Sequence, residues 1–394
     1  MPRLPIESST PTSVTLHGRE LLAFAGCNYL GLGTHPTVID ALARAARTLG
    51  LSTTASRETT GNSLSHEALE AELARFMGLP GAILSAEGYT ANFIAMQALS
   101  RDHRVAIIDA HAHRSLRHAA VASSMQVFDF EHLSAQSARW LIRQFGDQGV
   151  AVITDSVFAA DGAVAPIREL LTVLPPHRAT LVVDDCHGLC VLGPKGKGAL
   201  ASTAITDPRV VVTTTLAKGL GCYGGAVLGS RAFIDACQQH AWVYRSSTPL
   251  PPALAEACRA ALRVLEGSDE LVARLRRNVD LTRKALYPLG INLPPEGVPI
   301  FTFAISPEDR MQDVHDALMD EGVFAPLIEY PGGPAPRYFR VVVNAQHTPE
   351  QIARLGTLLA RAMQATLPTT HADPARPPRP APLIEAKPAP VMKA

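Results

Sequence analysis

Between residues 81 and 229, short apolar runs alternate with amphipathic stretches, and this pattern limits the chain to very few folds. The runs at 82–85, 105–109, 125–130, 150–157, 180–184 and 211–215 are rich in Val and Ile and bounded by Gly, Pro, Ser or Asp. Runs of that kind read as strands buried on both faces. Helical spacing at 90–99, 135–145 and 167–174 separates them. Strands alternating with helices dictate a mainly parallel sheet, and such sheets bind ligands at the carboxyl ends of their strands. A chain of 394 residues can bury this layer and a smaller second core.

Chemistry-bearing residues fall at those strand ends. The run Val211-Val212-Thr213-Thr214-Thr215 leads into Leu216-Ala217-Lys218-Gly219-Leu220-Gly221-Cys222-Tyr223-Gly224-Gly225. Glycines let the backbone turn tightly and approach a ligand. A lone lysine against apolar walls loses solvation, and its amine becomes a nucleophile toward carbonyls. Pyridoxal 5'-phosphate (PLP) is the carbonyl cofactor usually held this way. Taken alone, the stretch reads equally well as a surface lysine in a glycine-rich loop. Upstream, Leu181-Val182-Val183-Asp184-Asp185-Cys186-His187-Gly188 is a second strand ending in acid and imidazole. Asp184 suits the pyridine nitrogen of such a cofactor and His187 its ring hydroxyl. The turn Glu87-Gly88-Tyr89 enters a helix, whose first amides and dipole favour an anion. The cofactor phosphate is therefore expected on Gly88 and Tyr89, with the Thr215 hydroxyl.

These stretches, with Asn28-Tyr29-Leu30-Gly31-Leu32, Ser56-Arg57…Thr60-Gly61…His66…Leu69-Glu70 and Leu192-Gly193-Pro194, resemble the α-oxoamine synthases in identity and order over about residues 13–365. The resemblance implies an α/β, fold-type-I PLP transferase. Its large domain would hold a mainly parallel seven-stranded sheet, with strand 226–229 antiparallel, and its smaller C-terminal domain would be α+β. The expected division is an N-terminal segment 1–45, a PLP-binding domain 46–250, a small domain 251–366 and a disordered Pro/Ala-rich tail 367–394. Elements expected in the small domain are strands 300–305, 324–328 and 338–343, with helices 311–320 and 349–365. A single helix is expected over 232–243.

The implied reaction is condensation of an α-amino acid with an acyl thioester, with decarboxylation to an α-amino ketone. The implied site is Lys218, Asp184, His187 and His113, the last stacked on the cofactor ring. Asn28 and Arg340 would contact substrate. An arginine in the apolar strand 338–343 needs an anionic partner, which a carboxylate supplies. Asn28 reads equally as an Asx-turn residue. The resemblance brings the loop at 52–62 to the neighbouring subunit's active site and so implies a homodimer. Two departures from the family are Asp155, where Glu is usual, and Ala159, where Ser is common. Family members also carry extra N-terminal residues with a basic CoA contact, so the donor is expected to be acyl-CoA or a carrier-protein thioester.

Three rival readings use the same residues. One is a PLP aminotransferase of the same fold, and another a non-catalytic partner subunit. The third is a metal hydrolase built on His111, His113 and Asp184, since His-x-His after a strand can hold a metal. The PLP reading expects no metal. Lys+Arg and Asp+Glu are equal at 36 each, which argues against nucleic acid or an anionic membrane as partner. No run is long and apolar enough to span a bilayer, and the first residues do not read as a signal peptide. Six cysteines without regular spacing are expected as reduced thiols in a cytoplasmic protein.

Overall fold

In the structure, a computed structural model, residues 5–291, 293–295 and 297–365 are described. The expected tail at 367–394 lies outside the described residues. The alternating runs form a seven-stranded sheet in the order Gly81–Ser85, Gly225–Gly229, Val210–Thr215, Ala179–Asp184, Val150–Asp155, Val105–Asp109, Gln126–Phe130. Gly225–Gly229 runs antiparallel to both neighbours, and the remaining pairs are parallel. The period of two along each strand divides its side chains between two buried layers. Val105, Ile107, Leu181 and Val183 pack in one core, and Ala106, Ile108 and Val182 in the other. Apolar residues at every position, not at alternate ones, therefore mark the central strands. This is the expected fold class.

Parallel register brings the strand ends level. Asp155 lies beside Asp184, and Asp184 beside Thr213. The acids thus gather at the carboxyl edge of the sheet, where the following loops begin.

A second sheet, Ile300–Phe303, Tyr338–Val342 and Leu327–Ile328, is antiparallel and carries Arg340. In the N-terminal hairpin Ser13–Leu16 and Arg19–Ala23, the second strand pairs in parallel with Val323–Phe324, so segments about 300 residues apart share a sheet. Several elements differ from expectation. The strand expected at 324–328 is two strands in two sheets. Pro326 lies between them, has no N–H to give a ladder, and accepts the Arg340 amide at 3.0 Å. The helix expected over 232–243 breaks at Ala241, whose backbone is extended (φ −83°, ψ 103°). Arg114–Ala122 is a helix, which the histidine-rich run concealed.

His347 fastens the N-terminal segment to the C-terminal one. Its ring stacks on Phe24 with centroids 4.4 Å apart. Nε2–H donates to the Ala23 carbonyl at 3.0 Å, and Nδ1 accepts the Asn344 amide at 3.1 Å. Burial pushes its pKa from 6.5 down to about 4, so the folded ring stays neutral where the unfolded one is charged. This contribution is complete above the unfolded pKa and is lost as pH falls from about 6.5 toward 4. Urea unfolding across that interval is expected to lose about 3 kcal/mol to this residue. His347→Gln should flatten that part of the profile.

Candidate active site

Lys218, Asp184 and His187 line one cavity of about 240 Å³, together with Gly88, Tyr89, His113 and Thr215. Asn28 and Arg340 are not among the lining residues. The lysine follows Val210–Thr215 in a loop turned by Gly221 (φ 66°) and Gly224 (φ 129°). Its Nζ lies 2.9 Å from His187 Nε2, and His187 Nδ1 lies 2.5 Å from the Tyr29 hydroxyl. Burial, then the charges of Lys218 and Arg340, push His187 well below the usual imidazole range, so its ring is neutral. Burial raises the Tyr29 phenol, which keeps its proton. A hydroxyl both donates and accepts, so Tyr29 can serve either tautomer of His187.

Asp184 is buried, with two donors fixing its carboxylate. Asn92 Nδ2 donates to Oδ2 at 2.9 Å and the Cys186 amide to Oδ1 at 3.0 Å. Asn92 is held in turn by Thr213, whose hydroxyl donates to Asn92 Oδ1 at 2.6 Å. The neighbouring Asp155 accepts the His113 amide at 2.7 Å. Burial and the adjacent Asp184 raise Asp155 well above the carboxylate range, so one acid of the pair is protonated. Asp185 points away from the cavity and accepts the Ala199 amide at 3.0 Å. A Cβ at Gly188 would come within 2.0 Å of Asp185 Oδ1, which explains the glycine after His187.

His113 caps the helix Arg114–Ala122. Its Nδ1 accepts the Ser115 amide at 3.3 Å and meets the Ser115 hydroxyl at 2.6 Å, which fixes the ring at the cavity wall. Burial lowers its pKa, partly offset by Asp184. Gly88 and Tyr89 start the helix Gly88–Leu99 and line the same cavity, with the Tyr89 ring edge-on to His113 at 6.3 Å between centroids. A Cβ on Gly88 would lie 2.7 Å from Thr215 Cβ, so only glycine lets this helix end approach the lysine strand. The Thr215 hydroxyl is engaged locally, donating to Gly224 O at 3.1 Å and accepting the Ala217 amide at 3.2 Å.

Arg340 reaches toward the cavity from the second sheet. Its Nε–H donates to the Ala159 carbonyl at 2.9 Å, and a terminal nitrogen approaches Cys27 Sγ at 3.8 Å. Asn28 accepts the Gly33 amide at 3.3 Å, five residues on, which closes the loop but is not the Asx-turn bond to the second residue on. His111, His113 and Asp184 do not come together as a metal-sized cluster among the described residues. His111 stands instead beside His132 and Asp161. All six cysteines are free thiols.

Sequence reading missed Asn92, Tyr29 and Tyr330, the last a further lining residue of the cavity. Tyr29 lay inside a quoted motif and is fully buried. Asn92, a polar residue among the small and apolar residues on the buried side of its helix, was the available signal. Cavity and side chains fit PLP: a lysine amine, a fixed carboxylate, a neutral imidazole as donor and a helix amino end for a phosphate all face one space.

Residues 19–357 match the model of the family described as aminotransferase class I and II. The 8-amino-7-oxononanoate synthase of Methylococcus capsulatus is 36% identical over 360 residues, which covers 91% of this chain and 93% of that one. Its counterpart in Thioalkalivibrio sulfidiphilus is 34% identical over 360 residues, covering 91% and 92%. Among solved structures, serine palmitoyltransferase from S. paucimobilis with PLP and myriocin bound superposes with a TM-score of 0.86. It is 25% identical, and 92% of each chain is covered.

Replacing Tyr29 by Phe would leave a buried imidazole nitrogen without its partner. Denaturant unfolding of Tyr29→Phe is expected to show a loss of about 1–3 kcal/mol with an unchanged slope.

Proposed function

The chain belongs to the class I and II aminotransferase family and, within it, to the α-oxoamine synthases, and from that premise we propose that the cavity beside Asp184 is where an α-amino acid meets an acyl thioester. The protein is a PLP-dependent acyltransferase that joins the two with decarboxylation to give an α-amino ketone. The observation that carries the assignment of residues is the shared cavity of Lys218 and Asp184, with His187 bonded to the lysine.

When bound, PLP supplies an aldehyde for the amino group and a ring that takes up the electron pair left at the α-carbon. Asp184, fixed by Asn92 and Cys186, would hold a proton at the nitrogen of the bound cofactor. His113 would shield the cofactor from water. His187, supported at Nδ1 by Tyr29, would donate to the cofactor hydroxyl. The amides of Gly88 and Tyr89 would receive the phosphate, and Thr215 stiffens the loop beside it. Lys218 Nζ would hold the cofactor and serve as the base for the α-proton. Arg340 exchanges the Ala159 carbonyl for the carboxylate of the amino acid, which a guanidinium grips through both oxygens. Asn28 acts on substrate through the turn it fixes beside Gly221.

The acyl donor is a thioester of CoA or of a carrier protein. We assign the chain to a homodimer in the cytoplasm. Leu51 and Leu64, which flank the loop at 52–62, are exposed, as is Trp242 beneath Arg245. Arg245 ties that helix to the loop through Glu58 at 2.8 Å. Sedimentation at micromolar protein should give twice the chain mass, and a monomer would contradict the assignment.

The reaction is tested with carboxyl-labelled amino acids and acyl thioesters. Labelled CO2 should appear in step with free thiol, and Asp184→Asn should slow turnover about 100-fold or more. Transfer of the amino group to an oxo acid without CO2 release would favour the aminotransferase reading.

A further inference from the structure

Three loops at the carboxyl edge of the large sheet converge away from the lysine. His111 follows Val105–Asp109, His132 follows Gln126–Phe130, and Asp161 lies in the turn closed by the Val157–Val164 bridge. One ligand atom from each lies within 4.8 Å of the other two. Asp161 Oδ2 is 3.3 Å from His132 Nε2 and 4.0 Å from His111 Nδ1. Donors bound tetrahedrally to zinc at 2.0–2.1 Å stand about 3.3 Å apart, so the spacing is close to that of a metal shell.

Each residue turns one ligand atom into the cluster. Asp161 spends Oδ1 on the Ala163 amide at 2.8 Å, which leaves Oδ2 facing the imidazoles. His132 spends Nδ1 on Asp109 at 2.8 Å, and its buried Nε2 faces Asp161 Oδ2 at 3.3 Å, an ion pair when the ring is protonated and a ligand pair when a metal takes that proton's place. The His111 ring stacks on His132 with centroids 4.0 Å apart and makes no hydrogen bond of its own among the described residues. Its side chain is 38% exposed, so it has room to turn its lone pair toward the other two atoms.

Support from outside the shell is also present. Asp109 is buried and accepts three donors: His132 Nδ1, the His111 amide at 2.9 Å and the Leu133 amide at 2.9 Å. A carboxylate on the far nitrogen of a ligating histidine fixes its orientation and raises its basicity. Two imidazoles and one carboxylate suit zinc and its neighbours better than magnesium or calcium, which prefer oxygen.

We propose that His111, His132 and Asp161 bind a divalent transition metal of the zinc class at the mouth of the catalytic cavity, with Asp109 as the positioning residue. This departs from the sequence expectation of no metal and is independent of the reaction assigned above. Three protein ligands leave a position for water or an anionic group. His111 also lines the cavity, and the turn bearing Asp161 carries the Ala159 carbonyl that Arg340 holds. A metal here would brace that turn.

The test is calorimetric titration of the PLP-loaded enzyme with Zn2+, paired with the absorption spectrum of the Co2+ form. One Zn2+ per chain should bind with Kd below about 10 μM. Asp161→Asn and the exposed-site change His111→Ala should each weaken it at least about tenfold. Co2+ should show visible bands of nitrogen and oxygen coordination without thiolate charge-transfer absorbance. Binding no tighter than about 1 mM, unchanged affinity in either variant, or a thiolate band would overturn the proposal. The cluster would then be an ion-pair network around His132.

Discussion

A single buried carboxylate, Asp184, sets the terms for everything around it. Removing an ionised acid from water costs several kcal/mol unless hydrogen bonds replace the lost solvation. Here the replacement comes from the Asn92 amide group and the Cys186 backbone N–H. Asn92 belongs to the helix Gly88–Leu99, whose first residues also line the cavity. It is anchored by Thr213, on the strand that delivers Lys218. Satisfying one charge therefore fixes the relative placement of the acid, the lysine strand and the helix end. The parallel register then puts a second acid, Asp155, beside the first, and the low dielectric keeps that one protonated.

The smaller sheet contributes a cation under the same constraint. Among the described residues the half-buried Arg340 guanidinium meets a carbonyl and a sulfur. Both acceptors are neutral, so the proposed carboxylate of an amino acid would give this cation its anionic partner. The strand carrying Arg340 also donates the Val342 amide to Phe24 O at 3.0 Å, so the N-terminal segment is stitched to the element that would grip substrate. The segment around Phe24 and the strand of Arg340 thus pack as one unit.

Much of this was legible in residue order. The two-sided apolar runs dictated a parallel sheet, and acids, hydroxyls and a lysine at their ends located its working edge. Gly88 was readable as the start of an anion-binding helix, though not its close approach to the Thr215 side chain, and Gly188 gave no sign of the buried acid it packs against. What stayed hidden was contact between distant segments. Tyr29 bonds a histidine 158 residues away, and Asn92 an aspartate 92 residues away. No local spacing encodes those pairs. The split near Pro326 and the break at Ala241 were missed because propensity was read without the tertiary hydrogen bonds that compete with it. The histidine-rich run after Asp109 hid a helix and a capping residue because imidazole has several uses, and only the fold selects among them.

The central claim is a covalent bond at Lys218, and reductive trapping tests it most directly. The purified protein, loaded with PLP and treated with borohydride, is digested and mapped by mass spectrometry. The account predicts one reduced pyridoxyl phosphate group per chain, on the peptide containing Lys218, and none in Lys218→Ala. Label on another lysine, or none on the intact chain, would contradict it.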